Sequence, residues 1–420
     1  MNSLASYLLV WFALPLAAQQ DVPTLVADTA AWQVREVGEG AWLRQRWFPQ
    51  LFTGPQSVTV LEVRLVRDRV YFDVAAPGRR TLTSAMGQET GALAAINGGF
   101  FEIETDGRSR GLLRLDGVLV SAASAGQGSL GIDGNGTLHL QQRPAGDWPQ
   151  MPFALGAGPM LLHGGKVVDH GERQRAIRHP RSALGTTADA RVLCVTVDGR
   201  TDKAVGMSFE ELATLLVALG CNEALNLDGG GSTTLWVAGL GVCNFPCDNK
   251  RYDHDGERTV ANAVLLHAPA VVVVDDDEAE LGGAGWLQRT DGEHVHGADF
   301  AFCTAGPGCR ASFGAVLPFA GRWRALAWAP ELPAALGPWR ASLPGVEQVV
   351  ERAPRGGAWV ELGEFDLGKI VLGKFVLGKF VLGNDESRRA AVTLAGVEGK
   401  PLLVDAVRFV QASSRGGEQR

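Results

Sequence analysis

The sequence predicts an α/β domain, a mixed sheet around a βαβ core, with an all-β sandwich appended behind it. Three observations carry that expectation. Residues 191–236 read in order as strand, loop, helix, strand, glycine-rich loop and strand. Residues 51–168 alternate apolar and polar positions between Asp-Gly and Asn-Gly turns, the pattern of successive hairpins. Beyond residue 285, short alternating stretches carry Trp286, Trp323, Trp328, Trp339 and Trp359, with turn residues about every ten positions, as β-sandwiches do.

Taken in order, residues 6–17 (SYLLVWFALPLA) are too short to span a bilayer but suit the core of a signal peptide. Ala17 and Ala18 stand where cleavage would fall, although no Lys or Arg precedes the run. The expected organisation is a signal peptide over 1–18, a catalytic domain over 19–267, a boundary over 268–284, a sandwich over 285–411 and a tail over 412–420. The product would be secreted, periplasmic or held at the cell surface. A formal charge of −7 and the lack of any Lys/Arg cluster argue against nucleic acid as a partner.

SVTVLEVRLVRDRVYFDV reads as two strands around Arg67-Asp68-Arg69, and LAAINGGFFE as a strand running into Asn97-Gly98-Gly99. GLLRLDGVLVS and SLGIDGNGTLHLQ are hairpins, and FALGAGPMLLHGGKVV places a glycine-proline turn before another. RVLCVTV is β-branched enough to be buried on both faces. Ser208, with Glu211 three residues on, opens a helix with a capping box. Phe209, Leu212, Leu215, Leu216 and Leu219 recur at helical spacing, and Gly220 suits a left-handed cap. EALNL is the next strand, parallel to the first if a helix crosses between them.

Asp198 and Asp228 therefore follow the carboxyl ends of two parallel strands, the edge where open α/β sheets bind ligands. An isolated Asp-Gly is commonly only a turn; two at matching ends of one unit point to a site. Arg200 follows the first, and Gly229, Gly230, Gly231 and Ser232 follow the second. Three glycines in a row would expose backbone N–H groups, a nest for an anion. Six cysteines are consistent with an oxidising compartment. Cys243/Cys247 and Cys303/Cys309 are spaced for local disulfides, while Cys194 and Cys221 suit a third bridge or two buried thiols. A zinc site is less favoured because the two-residue metal knuckle is missing.

NGGFF (97–101), GAGPMLL (156–162), RHPRSALG (178–185), VDGR (197–200), LNLDGGGSTTL (225–235) and ERTVANAVLL (257–266) stand in the order found in the phosphodiester glycosidase family, which residues 50–267 resemble. The resemblance implies hydrolysis of a glycosyl-1-phosphate diester, with an N-acetylglucosamine-type sugar as the first guess. Such a diester keeps one negative charge, which an arginine grips bidentately. Arg181 and Arg200 are the candidates, against the plainer reading that they pair with the two aspartates. Asp198 and Asp228 would serve at the anomeric carbon, and Asn97, Gly98 and the 229–232 loop would contact substrate. The motifs point to no particular cofactor. A divalent metal is compatible with carboxylates beside a phosphodiester, and Asp248, Asp253, Asp255 and Glu257 form an acidic cluster that is no EF-hand loop. A metal-dependent phosphodiesterase and a non-catalytic glycan-binding protein stay open as rivals.

VDDDEAELGGAGW, GRWRALAWAP and VDAVRFV make residues 272–411 similar to golvesin C-terminal-like domains, which implies an accessory, polysaccharide-binding role. The four-copy repeat FDLGK-IVLGK-FVLGK-FVLGN (365–384) has an odd period that no strand face can follow, and reads as expansion within a hairpin or edge loop.

Overall fold

The computed structural model describes residues 21–104, 107–124, 127–142, 147–171, 177–290, 295–304, 308–329, 339–350, 357–367, 388–396 and 402–412. The leader at 6–17 and nearly all of the five-residue repeat lie outside them. Only the first copy overlaps a described element, the end of the Ala358–Leu367 strand.

The first domain is mostly β rather than α/β. Its helices are short, at Val22–Ala27, Thr83–Thr90 and Phe209–Ala218, and every strand pairing among the described residues is antiparallel. The largest sheet has eight strands, in the order Gln33–Gly38, Ala41–Leu51, Gly54–Arg64, Arg191–Val197, Arg181–Thr187, Cys221–Asn226, Met160–His163 and Lys166–Val167. The strands bearing Asp198 and Asp228 at their ends do run parallel to each other. They are not neighbours, because Arg181–Thr187 lies between them and pairs antiparallel with both. An antiparallel strand inserted in this way begins where its two neighbours end, which sets Arg181 on the same edge as the two aspartates.

The central strand alternates as its composition demands. Val192 and Cys194 join one core with Leu61, Val63, Leu184 and Leu225. Leu193, Val195 and Val197 join the other, where Leu212, Leu215 and Leu216 of the helix and Val22 and Val26 of the N-terminal helix pack. Burying each of those helix leucines contributes about 2 kcal/mol. The helix starts as its sequence requires, with the Ser208 hydroxyl accepting from Glu211 N at 3.2 Å and the Glu211 carboxylate accepting from Ser208 N at 2.9 Å. It stops at Gly220, whose φ of +89° an L side chain rarely adopts.

Two five-stranded sheets and a two-stranded one, Thr81–Leu82 with Thr259–Val260, complete this domain among the described residues. One five-stranded sheet carries Ala94–Asn97 between Leu235–Val237 and Ala263–His267, and the other holds the hairpins of residues 113–142 and the Phe153–Ala157 strand. The described residues beyond 270 form sheets of four, five and three antiparallel strands, with Trp323 and Trp339 fully buried among them. Residues 268–284 are more than a boundary. Val271–Asp275 pairs with Ala406–Gln411, and Glu280–Gly282 with Arg310–Val316, so both belong to the C-terminal sheets.

Cys303 and Cys309 form a disulfide, whereas Cys194, Cys221, Cys243 and Cys247 are free, buried thiols. The expected Cys243–Cys247 bridge is absent; sequence spacing allowed it, but side-chain geometry decides. Burial pushes the thiols of Cys194, Cys221 and Cys243 up to about 12, which leaves them inert. Among the described residues no helix is long and apolar enough to cross a membrane. Ser208→Ala is expected to cost about 1 kcal/mol through the lost cap, read as a lower urea midpoint with an unchanged slope.

Candidate active site

Asp198, Asp228, Arg181 and Arg200 gather at one sheet edge, but their environments differ sharply. Asp198 is 1% exposed and its carboxylate accepts three hydrogen bonds: from Ser57 Oγ at 2.6 Å, Asn244 Nδ2 at 2.9 Å and Phe245 N at 2.9 Å. Burial raises its pKa against these donors. Asn244 also donates to Thr233 O and accepts from Leu235 N, so Asp198 anchors the segment that follows the glycine loop. A sealed carboxylate with three fixed donors positions other groups.

Asp228 is partly exposed. Its Oδ1 accepts from Gly229 N at 3.0 Å, and its pKa is raised by burial, then lowered in part by Ser232, Gly229 N and Arg258. Ser232 is fully buried, and its hydroxyl sits beside the Asp228 carboxylate without a well-aligned partner of its own. Asn97, expected on the substrate, is 0% exposed and braces this corner from behind. Its Nδ2 donates to Asp228 O at 2.6 Å, and its Oδ1 accepts from Ser182 Oγ at 2.6 Å and Thr234 N at 3.1 Å.

The glycine loop is not an open nest. Gly229 N is spent on Asp228 Oδ1, Gly230 N on Pro180 O and Ser232 N on Gly229 O. The glycines serve close approach instead. A Cβ on Gly229 would lie 2.7 Å from Pro180 O, and one on Gly231 2.3 Å from the Arg258 guanidinium. Gly230, at φ +64°, lies under the Arg200 guanidinium, 2.9 Å from where its Cβ would stand. Gly98 is equally constrained, its Cβ position 2.1 Å from Asn262 Oδ1. Asn262 Oδ1 in turn accepts from Gly99 N at 2.7 Å.

The anion-binding capacity therefore falls to the arginines. Arg181 is 8% exposed, donates to Met207 O at 2.8 Å and Ile177 O at 3.0 Å, and lies 4.1 Å over the Phe209 ring. No carboxylate among the described residues pairs with it. Burial, with Arg200 adding repulsion, brings its pKa down to about 10. Arg200 adopts φ +64°, rare for a side chain of its size. It donates to His179 Nδ1 at 3.3 Å, and that imidazole is held below its usual value by burial and by both arginines. Arg258, which nothing in its local sequence marks out, pairs with Asp248 at 3.1 Å and faces Asp228.

Asp248, Asp253, Asp255 and Glu257 do not converge. Asp248 serves Arg258, Asp253 accepts from Asn249 and Asp255 N, and Glu257 accepts from Ser84. A cavity of about 850 Å³ runs from Phe209, whose ring packs on Arg181, past Gly158 and Pro159 to Phe100 and Arg110; neither aspartate and neither Arg181 nor Arg200 lines it. That is ample for a sugar and part of its acceptor.

Residues 90–267 match the family model described as Phosphodiester glycosidase. The N-acetylglucosamine-1-phosphodiester alpha-N-acetylglucosaminidases of Mus musculus and Homo sapiens are 27% and 25% identical over 228 residues, covering 47% of this chain and 43% and 44% of theirs. The SPbeta prophage-derived uncharacterized protein YomE of Bacillus subtilis (strain 168) is 33% identical over 102 residues, 24% of this chain and 14% of its own. The chain thus spans less than half the length of these relatives. Among solved structures, the zebrafish N-acetylglucosamine-1-phosphodiester alpha-N-acetylglucosaminidase catalytic domain is 21% identical with a TM-score of 0.46, over 57% of this chain and 85% of that one.

Asp198→Ala strands three buried donors, so a loss of about 3 kcal/mol in unfolding free energy is expected. Asp198→Asn keeps one acceptor and lets the Ser57 hydroxyl turn to accept, and is expected to cost about 1 kcal/mol by the same denaturant measurement.

Proposed function

We propose, from the phosphodiester glycosidase domain at residues 90–267, that this protein is a hydrolase of glycosyl-1-phosphate diesters. Water adds across the bond between the anomeric carbon and its oxygen, releasing free sugar and a phosphomonoester that takes up the second proton. The observation that carries the reading is a buried Arg181 with no carboxylate partner among the described residues, next to Arg200 and on the same sheet edge as Asp228. A buried guanidinium with an exposed second one beside it is stabilised by an anion, and a phosphodiester bears one charge over two oxygens.

In this reading Arg181 and Arg200 hold the phosphate, with the Phe209 ring fixing the plane of the first guanidinium. Asp228 supplies the carboxylate at the anomeric carbon, where oxocarbenium-like charge develops. Asp198 and Asn97 position the two corners. The phosphomonoester is a good leaving group, so strong general-acid help is unnecessary. The cavity between Phe100 and Phe209 receives the remainder of the substrate, with an N-acetylglucosamine-type sugar the first to try. The C-terminal all-β part serves as a sandwich-type accessory module for polysaccharide, and the protein acts after export.

Asp228→Asn is expected to lower kcat about a thousand-fold, the scale of a lost acid–base or nucleophilic carboxylate, with the fold intact by circular dichroism. The carboxylate acts ionised, so kcat/KM is lost as pH falls through the Asp228 pKa. Burial places that limb above the ordinary 3.8. Hydrolysis of a panel of glycosyl-1-phosphate diesters in oxygen-labelled water tests the reaction itself. Label is expected in the sugar. Label in the phosphate would assign a phosphodiesterase, and binding without turnover a glycan-binding protein.

A further inference from the structure

We propose that Asp275, His296 and Asp405 form a site for one divalent metal ion of the zinc or manganese class in the C-terminal part of the chain. Sheet register builds it. Asp275 ends the Val271–Asp275 strand opposite Ala406, the first residue of Ala406–Gln411, so Asp405 stands beside it at the same end of the sheet. His296 arrives on a turn that wraps Asp275. The next residue, Gly297, has φ +78°, and a Cβ there would come 2.7 Å from Asp275 Oδ2. One ligand atom from each of the three side chains lies within 4.8 Å of the other two.

The hydrogen bonding leaves a gap in the middle of this group. Asp405 is 1% exposed; its Oδ2 accepts from His296 N at 2.9 Å, while its Oδ1 is buried with no hydrogen-bond partner. His296 Nδ1 is likewise buried without one, its nearest carboxylate oxygen being Asp275 Oδ1 at 3.6 Å. A protonated imidazole paired with Asp275 would close that distance and would still leave Asp405 Oδ1 unmet. By contrast, an imidazole nitrogen and a carboxylate oxygen bound tetrahedrally to one zinc ion stand about 3.4 Å apart.

The charge balance points the same way. Asp275 and Asp405 have no Lys or Arg partner among the described residues, and the nearby Arg408 is spent on Glu36. Asp276 adds a further buried carboxyl, held by Gln288 at 2.7 Å. Trp359 and Trp328 pack edge-on against the His296 ring at 5.4 and 6.1 Å, leaving its side chain 34% exposed. One nitrogen and carboxylate oxygens suit zinc or manganese; calcium takes oxygen ligands alone. An ion here would tie the first and last strands of this part of the chain together beside the Glu36–Arg408 pair that joins it to the first domain.

The test is calorimetric titration of the intact, chelator-treated protein with zinc, manganese and calcium chloride, paired with thermal melts. Binding of one equivalent of zinc or manganese is expected, with a raised melting midpoint. His296→Gln and Asp275→Asn should each weaken binding at least tenfold, and Asp405→Asn should do the same if it folds by circular dichroism. No binding up to millimolar ion would overturn the proposal. So would binding that His296→Gln and Asp275→Asn leave unchanged, or calcium binding indifferent to His296.

Discussion

The pairing of Arg181 with Val197 on one side, and of Ser182 with Leu227 on the other, is the constraint on which the rest of the site depends. It brings three strand ends to one edge, two of them outgoing and acidic, the middle one incoming and basic. The glycine loop then packs its backbone against Pro180 and beneath Arg200 and Arg258, so the guanidinium groups can crowd a carboxylate that larger residues would hold away.

The electrostatics divide labour between two aspartates that look equivalent in sequence. Asp198 is sealed and tied to Ser57, Asn244 and Phe245, and through Asn244 it fixes the strand leaving the loop. Asp228 is partly open and held by fewer donors. Asn97 and Asn244 do matching work, each bridging one acidic corner to the Thr233-Thr234 segment. Against this frame the positive charges are under-compensated among the described residues: Arg258 has Asp248, whereas Arg181 has two carbonyls and an aromatic face, and the exposed Arg200 has the Cys247 sulfur and the His179 imidazole. Buried charge without a partner is costly, and an anionic ligand is the natural relief.

Local chemistry was legible. The Ser208–Glu211 box, the Gly220 stop, the doubly buried RVLCVTV strand and the Asp-Gly hairpin turn at Asp116-Gly117 each depend on residues a few positions apart. Non-local chemistry was not. The donors of the glycine loop read as free because the Pro180 carbonyl that takes Gly230 N lies fifty residues away, just ahead of the Arg181–Thr187 strand. The acidic run at 248–257 read as one cluster because spacing along a loop says nothing about where its side chains turn. Arg258, Ser57 and Asn244 carried no signal beyond being polar, since their roles exist only through partners far away in sequence.

By itself the sequence determined which residue types end the strands, where the helix starts and stops, and that a set of ordered motifs resembles one glycosidase family. Those properties follow from hydrogen bonds and periodicities that close within a few residues. Tertiary structure alone decided that the domain is mostly antiparallel β, that Arg181 stands between the aspartates, and that Asp275, His296 and Asp405 meet. Strand order and burial are set by long-range packing, which no short stretch of chain encodes.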